Sequence, residues 1–458
     1  MLIGESLPFI RNYIFAVNEC IKQKNPDNQL SRLQSYWLSF IILGLLVTNS
    51  CCWARFERFG MGHFTTKQMS WMFRRAHIFW DALLQASVKH IIAAYRIHFG
   101  VLVIDDSDRD RSKNTTDIAK VHKIRDKKTG GYMSGQNLIF LLLVCEKVTI
   151  PVGFVFYEPD PKKTAWRKEE IRLRKKGVEK KYRPAQPEPD SNYPNKKDLA
   201  LKLIADFSRD FSEVRVKAIT ADAAYGTLDF MEQSALSTNQ PQVISQIKKS
   251  QLIIVNNKEI SVDSFFANYE GHTEKVALRG KEKTITYRSG MFKVKSHKKK
   301  YCIIALKYDD EDEYRYLIAS DMTWHAIDII KTYAFRWLVE VFIQDWKQYE
   351  GWNQMAKQPG IIGSDRGVIL SLLSDHALLL HDDQKILFEK KEPAATVGSL
   401  REKVIMESLM AFIEGIVSSD DPKTLFAEHA DKISELFELR SSIKHLRQAD
   451  MEFLDEKY

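Results

Sequence analysis

Tyr333, Arg336, Glu340 and Lys347 bring a phenol, two cations and a carboxylate into one stretch, Tyr333–Lys347, that holds neither Pro nor Gly. In a helix each residue advances about 100°. With Tyr333 at zero, Arg336, Glu340 and Lys347 then fall at about 300°, 340° and 320°, one narrow polar stripe. Phe335, Leu338, Phe342 and Trp346 fall between about 140° and 220°, on the face that would enter a core. A carboxylate can hold a hard cation, and Arg and Lys can bind anions. The same pattern would also serve an amphipathic helix with a solvated face on which Glu340 pairs with Arg336 at i,i+4.

Tyr-x2-Arg-x3-Glu-x6-Lys resembles the signature of the DDE transposases of bacterial insertion sequences, the insertion-sequence-4 group. The resemblance implies that Glu340 is the third of three metal-binding carboxylates and that two Asp residues precede it at strand ends. Asp105 follows the apolar run Val101–Ile104 and begins an Asp-x-Ser match. Asp222 follows Val214–Ala221 within an Ala-Asp-x-x-Tyr match. Either Asp alone says little, because carboxylates after strands are commonly turn or cap residues. Their order with a β-rich segment and the Tyr-Arg-Glu-Lys stretch carries the resemblance, which spans roughly residues 101–380. Side chains alternate along a strand, so both can hardly reach one metal pair; the Asp-x-Ser match implies that Asp105 is the ligand, and Asp106 is then expected to be a turn or cap residue pointing away.

Phosphodiester cleavage at such a site uses two divalent cations, Mg²⁺ with Mn²⁺ able to substitute. One activates the attacking water or 3′-hydroxyl and the other stabilises the leaving oxygen. Hard cations of this kind take carboxylate oxygens and retained waters. The resemblance further implies that Tyr333, Arg336 and Lys347 grip phosphates near the scissile bond. Arg binds phosphate bidentately, Lys acts as a point charge and Tyr supplies a hydroxyl. Trp324, just before this stretch, is a candidate to stack a flipped base, with core packing as the competing role.

The chain has 458 residues and a net charge of +8. Eleven Lys/Arg and three Glu lie in Lys162–Arg183, so the basic excess is local. A local patch suits a polyanion such as double-stranded DNA, with Arg172, Arg174, Lys175 and Lys176 as candidate contacts, although a solvated helix face would look the same. Lys298 and Lys299 give a second basic edge. Trp166, Tyr182 and Tyr193 among the charges could stack bases or anchor packing. The five cysteines show no metal spacing and read as cytosolic thiols. Residues 36–54 carry no charge, but polar interruptions make them a buried helix rather than a membrane span.

The elements needed to position the site give an α/β fold: a ribonuclease H-like catalytic core interrupted by an all-β insertion, with helical N-terminal and C-terminal domains. The expected boundaries are 1–97 for a helical DNA-binding domain, 98–240 and 324–382 for the two parts of the core, 241–323 for the insertion, and 383–458 for a helical region that could pair protomers. Thr65 and Gln68 form a candidate capping box. Strands are expected at Val101–Ile104, Asn137–Cys145, Val148–Tyr157 and Val214–Ala221, and late helices at Val404–Val417 and Ser434–Leu446. The resulting expectation is a cytoplasmic, nucleoid-associated cut-and-paste transposase that acts as a homodimer on DNA without a membrane. It would bind terminal inverted repeats, cleave the ends, with a hairpin as one route, and join the 3′-hydroxyls to target DNA. A domesticated non-catalytic DNA-binding protein and a nuclease without strand transfer are the alternatives.

Overall fold

The computed structural model describes residues 6–111, 117–126, 129–239, 241–278, 280–351 and 360–436. Helices α1 (Pro8–Lys24), α2 (Arg32–Thr48), α3 (Trp53–Phe59), α4 (Thr66–Arg74) and α5 (Trp80–Tyr95) come first. Local sequence sets their starts. Ser31 with Gln34 and Thr65 with Gln68 form capping boxes, each pair satisfying two backbone N–H groups. Every residue of α2 from Trp37 to Thr48 is buried, as befits a helix that is apolar on all sides. No single described helix is long and apolar enough to cross a membrane. The five helices share one continuous hydrophobic core with the sheet that follows.

That sheet begins with β1 (Phe99–Asp110), β2 (His122–Arg125), β3 (Tyr132–Val144) and β4 (Thr149–Tyr157). After α6 (Pro161–Lys175) and α7 (Lys196–Asp210) come β5 (Arg215–Ala221), α8 (Leu228–Leu236) and β6 (Gln242–Gln246). β3 lies antiparallel between β1 and β4, while β5 and β6 run parallel to β1 on its other side. The order β4-β3-β1-β5-β6, with α7 leading from the antiparallel to the parallel part, is ribonuclease H-like. The sequence pattern missed β2 and stopped β1 too early. β1 runs through Asp105 and Asp106 to Asp110 because β3 pairs with it along that whole length.

The next segment holds β7 (Leu252–Val255), β8 (Lys258–Ser261), α9 (Val262–Phe266), β9 (His272–Leu278), β10 (Lys281–Val294), β11 (Lys300–Tyr308) and β12 (Arg315–Ala319). It is β-rich but contains α9. Its strands also extend the core sheet, because β12 pairs antiparallel with β6 and the order runs on as β6-β12-β11-β10-β7-β8. Ile244, Ile304, Leu317 and Ala319 from these strands pack with Ile329, Ile330 and Tyr333 of α10 (Ala326–Ala334). The described residues continue with α11 (Trp337–Tyr349), α12 (Gly360–Leu379), α13 (Asp382–Glu389), α14 (Val397–Val417) and α15 (Pro422–Leu436). The helix expected at Ser434–Leu446 lies largely outside the described residues.

Candidate active site

Parallel pairing of β1 with β5 builds the site. Their last paired residues are Ile104 and Ala221, so Asp105 and Asp222 come next in register and sit side by side. Past Ala221 the chain turns away. The Asp222 side chain accepts from the Ala224 N–H at 2.8 Å, and its carbonyl accepts from the Ser245 hydroxyl at 2.6 Å. Gly226 lets this turn lie on β6: a Cβ there would stand 2.3 Å from the Gln246 carbonyl oxygen, far inside van der Waals contact. Tyr225 is buried within the turn against Phe230.

Asp105, Asp106 and Asp222 form one cluster, an oxygen of each lying within 4.8 Å of the others. This corrects the expectation that Asp106 is a turn or cap residue remote from the site. The alternation itself holds for hydrogen bonding. Asp105 accepts from Arg336 at 2.7 Å, whereas Asp106 accepts from Asn137 at 2.9 Å and Lys196 at 2.5 Å. Because β5 stops opposite Ile104, no described strand covers the β1 edge at these positions, and both carboxylates reach the gap. Burial pushes the Asp105 carboxyl up to about 6, with the Arg336 charge opposing the rise.

The stretch Tyr333–Lys347 is not one helix. Arg336 N–H bonds to Tyr333 C=O at 3.0 Å and Leu338 N–H to Phe335 C=O at 2.9 Å, an i→i−3 pattern at the junction of α10 and α11. Each residue of such a tight turn advances about 120° rather than 100°. Residues before the junction are therefore rotated off the calculated stripe. Tyr333 is buried in the core, with burial pushing its phenol up to about 12, and Phe335, expected inside, is exposed. Beyond the junction Phe342 and Trp346 face the core as expected, while Leu338 is only half-buried. Val339, Phe342 and Trp346 are buried, with Phe342 and Trp346 packed on Phe140 of β3.

Glu340 stays out of the carboxylate cluster, its side chain 57 % exposed and paired with Arg336. Arg336 thus links Asp105 to Glu340. Lys347 donates to the Asp108 carbonyl on β1 at 2.9 Å, which holds α11 against the carboxylate-bearing strand. Trp324 is half-buried against the core cluster beside α10, the packing role. Lys299 pairs with Glu232 of α8, while Lys298 is exposed in the β10–β11 turn.

Arg172 is paired with Glu169 on its own helix, and Arg174, Lys175 and Lys176 are exposed at the far end of α6. A large cleft beside Asp106 instead uses Lys163, Arg167 and Lys168 of α6, with Lys123 of β2 and Lys196 of α7. These residues were missed, although Lys163 and Arg167 at i,i+4 show as one helix face in the sequence.

The three clustered carboxylates suit a hard divalent cation by donor chemistry: all are oxygen donors and lie close together. Residues 53–257, a little under half of the chain, match the family model described as DDE superfamily endonuclease. The matched span includes Asp105, Asp106 and Asp222 and stops short of Glu340. The match supports a DDE-type endonuclease that uses a divalent metal. No curated protein matches the chain. Among solved structures, the chain is similar to the piggyBac transposase in a cryo-EM structure of its synaptic complex with hairpin DNA. The two share 11 % identity at a TM-score of 0.45, over 96 % of this chain and 86 % of that chain, a likeness too slight to carry an argument.

Proposed function

We propose that this chain is a DNA transposase of DDE type, allied to the insertion-sequence-4 group, that binds terminal inverted repeats, cleaves the DNA ends and joins the 3′-hydroxyls to target DNA. The observation that carries the proposal is the placement of Asp105 and Asp222 side by side, with Arg336 joining Asp105 to Glu340. Asp105, Asp222 and Glu340 are the proposed metal-binding carboxylates, with Asp106 beside them. Bound Mg²⁺ or Mn²⁺ would activate the attacking oxygen and stabilise the leaving one. Arg336 and Lys347 lie at the same edge and can hold phosphate oxygens, Arg through its paired N–H donors. Tyr333, buried, supports that edge from the core. A homodimer pairing two ends, acting in the cytoplasm on nucleoid DNA, completes the proposal.

Cleavage and joining of the element's own ends, assayed with Mg²⁺ and with Mn²⁺, tests it. Both activities are expected. Cleavage without joining would leave a nuclease, and binding without either would leave a non-catalytic DNA-binding protein.

A further inference from the structure

We propose that the cleft between the β2–β3 hairpin, α6 and the start of α7 binds a single DNA strand leading away from the carboxylate cluster; the identity of that strand rests on the transposase reading. The cleft has a volume of about 1150 Å³, above the ~300–1,000 Å³ typical of small-molecule pockets. Its inner end is formed by Asp106 and Asn137, so an extended ligand lying in it would reach the cluster.

Charge on α6 is divided by face. Arg172 is neutralised by Glu169, and Arg183 of the following loop by Glu170. Lys163, Arg167 and Lys168, which line the cleft, make no ion pair among the described residues. The helix buries none of its side chains, so these cations stand open to a polyanion in the cleft.

One further feature favours an unpaired strand. Tyr132 lines the opposite wall 66 % exposed, with the Lys123 ammonium 4.5 Å from its ring centre. An open ring beside a cation is a stacking platform for bases that a duplex would keep covered.

Fluorescence anisotropy of full-length protein with a labelled oligothymidylate, and with a duplex of equal length, across a salt series tests the groove. Lys163→Gln/Arg167→Gln/Lys168→Gln is expected to weaken oligothymidylate binding at least about tenfold and lower the log–log salt slope by about 2, at about 0.7 per lost single-strand phosphate contact. Duplex binding should be unchanged. Tyr132→Ala should weaken single-strand binding about tenfold with the salt slope intact, because stacking releases no counterions. Lys163→Arg/Arg167→Lys/Lys168→Arg should bind as wild type, which separates lost charge from lost folding.

Absence of oligothymidylate binding by the wild type, or unchanged binding by the glutamine variant, would overturn the groove. Equal losses on strand and duplex would also overturn it, assigning this face to duplex. If Tyr132→Ala has no effect and polyglutamate binding falls with DNA binding, an acidic protein partner replaces the strand. Mg²⁺-dependent cleavage is read on the same preparations. A wild type that cleaves while the glutamine variant binds normally keeps the transposase reading and loses the groove. A wild type that never cleaves while the variant loses strand binding does the reverse.

Discussion

Asp105 and Asp222 stand side by side because the strands that carry them are parallel and in register up to Ile104 and Ala221. Nearly 120 residues of chain separate the two carboxylates, yet their proximity follows from one ladder of backbone hydrogen bonds. Changing either side chain should therefore alter the chemistry of the cluster while leaving the ladder in place.

Asp105→Asn, Asp222→Asn and Glu340→Gln should each abolish Mg²⁺-dependent cleavage while leaving DNA binding near wild type, since each removes the charge of a proposed ligand with little change of shape. Asp106→Asn should fall between these and wild type. It keeps the hydrogen bond to Asn137 but weakens the hold on Lys196 and removes one clustered charge. Supporting groups of that kind cost about 10–100-fold in metal affinity or activity. Gel shifts and cleavage assays on the four proteins check this. Full activity in Asp106→Asn would return that residue to a structural role.

Divalent metal should stabilise the folded protein, because the carboxylates are gathered only in the native state. For one site, metal at about 100 times its Kd adds about 2.7 kcal/mol. Thermal melts with and without Mg²⁺ or Mn²⁺ should show a rise in wild type that Asp105→Asn/Asp222→Asn lacks. An equal rise in the double variant would place the metal elsewhere.

The two faces of α11 should separate stability from activity. Phe342 is buried against Phe140 and Trp346, so Phe342→Ala should cost about 3–5 kcal/mol. Glu340→Ala should change the melting temperature little, because an exposed i,i+4 ion pair contributes only about 0.3–0.5 kcal/mol. A larger melting loss in Glu340→Ala than in Phe342→Ala would contradict the orientation of the helix.

Much of this architecture was legible in the sequence because it rests on local signals. Capping pairs such as Thr65 and Gln68, the strand Val214–Ala221 and the burial of Phe342 and Trp346 follow from residue type and spacing. What escaped depends on tertiary pairing. β1 is polar from Asp105 to Asp110, and only its partner β3 makes those residues a strand. The tight turn at Phe335–Arg336 contains no Pro or Gly to announce it, so Tyr333 was assigned to the wrong face. Asp106 joins the cluster because β5 ends opposite Ile104, a register that neither strand's own sequence states.

The buried carboxyls of Glu350, at the end of α11, and Asp375, in α12, lie against each other. Burial raises both, with each other and Asp345 as further influences, and Asp375 is pushed up to about 7 from its ordinary 3.8. The folded state then holds these protons more tightly than the unfolded chain does. Their contribution to stability is fully present below the ordinary carboxylate range and is lost as pH rises through about 7. The melting temperature of wild type should accordingly fall as pH is raised from weakly acidic to just above neutral. Glu350→Gln/Asp375→Asn keeps the shapes and removes both titrations, so its melting temperature should be flatter over the same window. A wild-type melting temperature that rises with pH there, or a double variant with an undiminished fall, would show that other groups control the pH dependence.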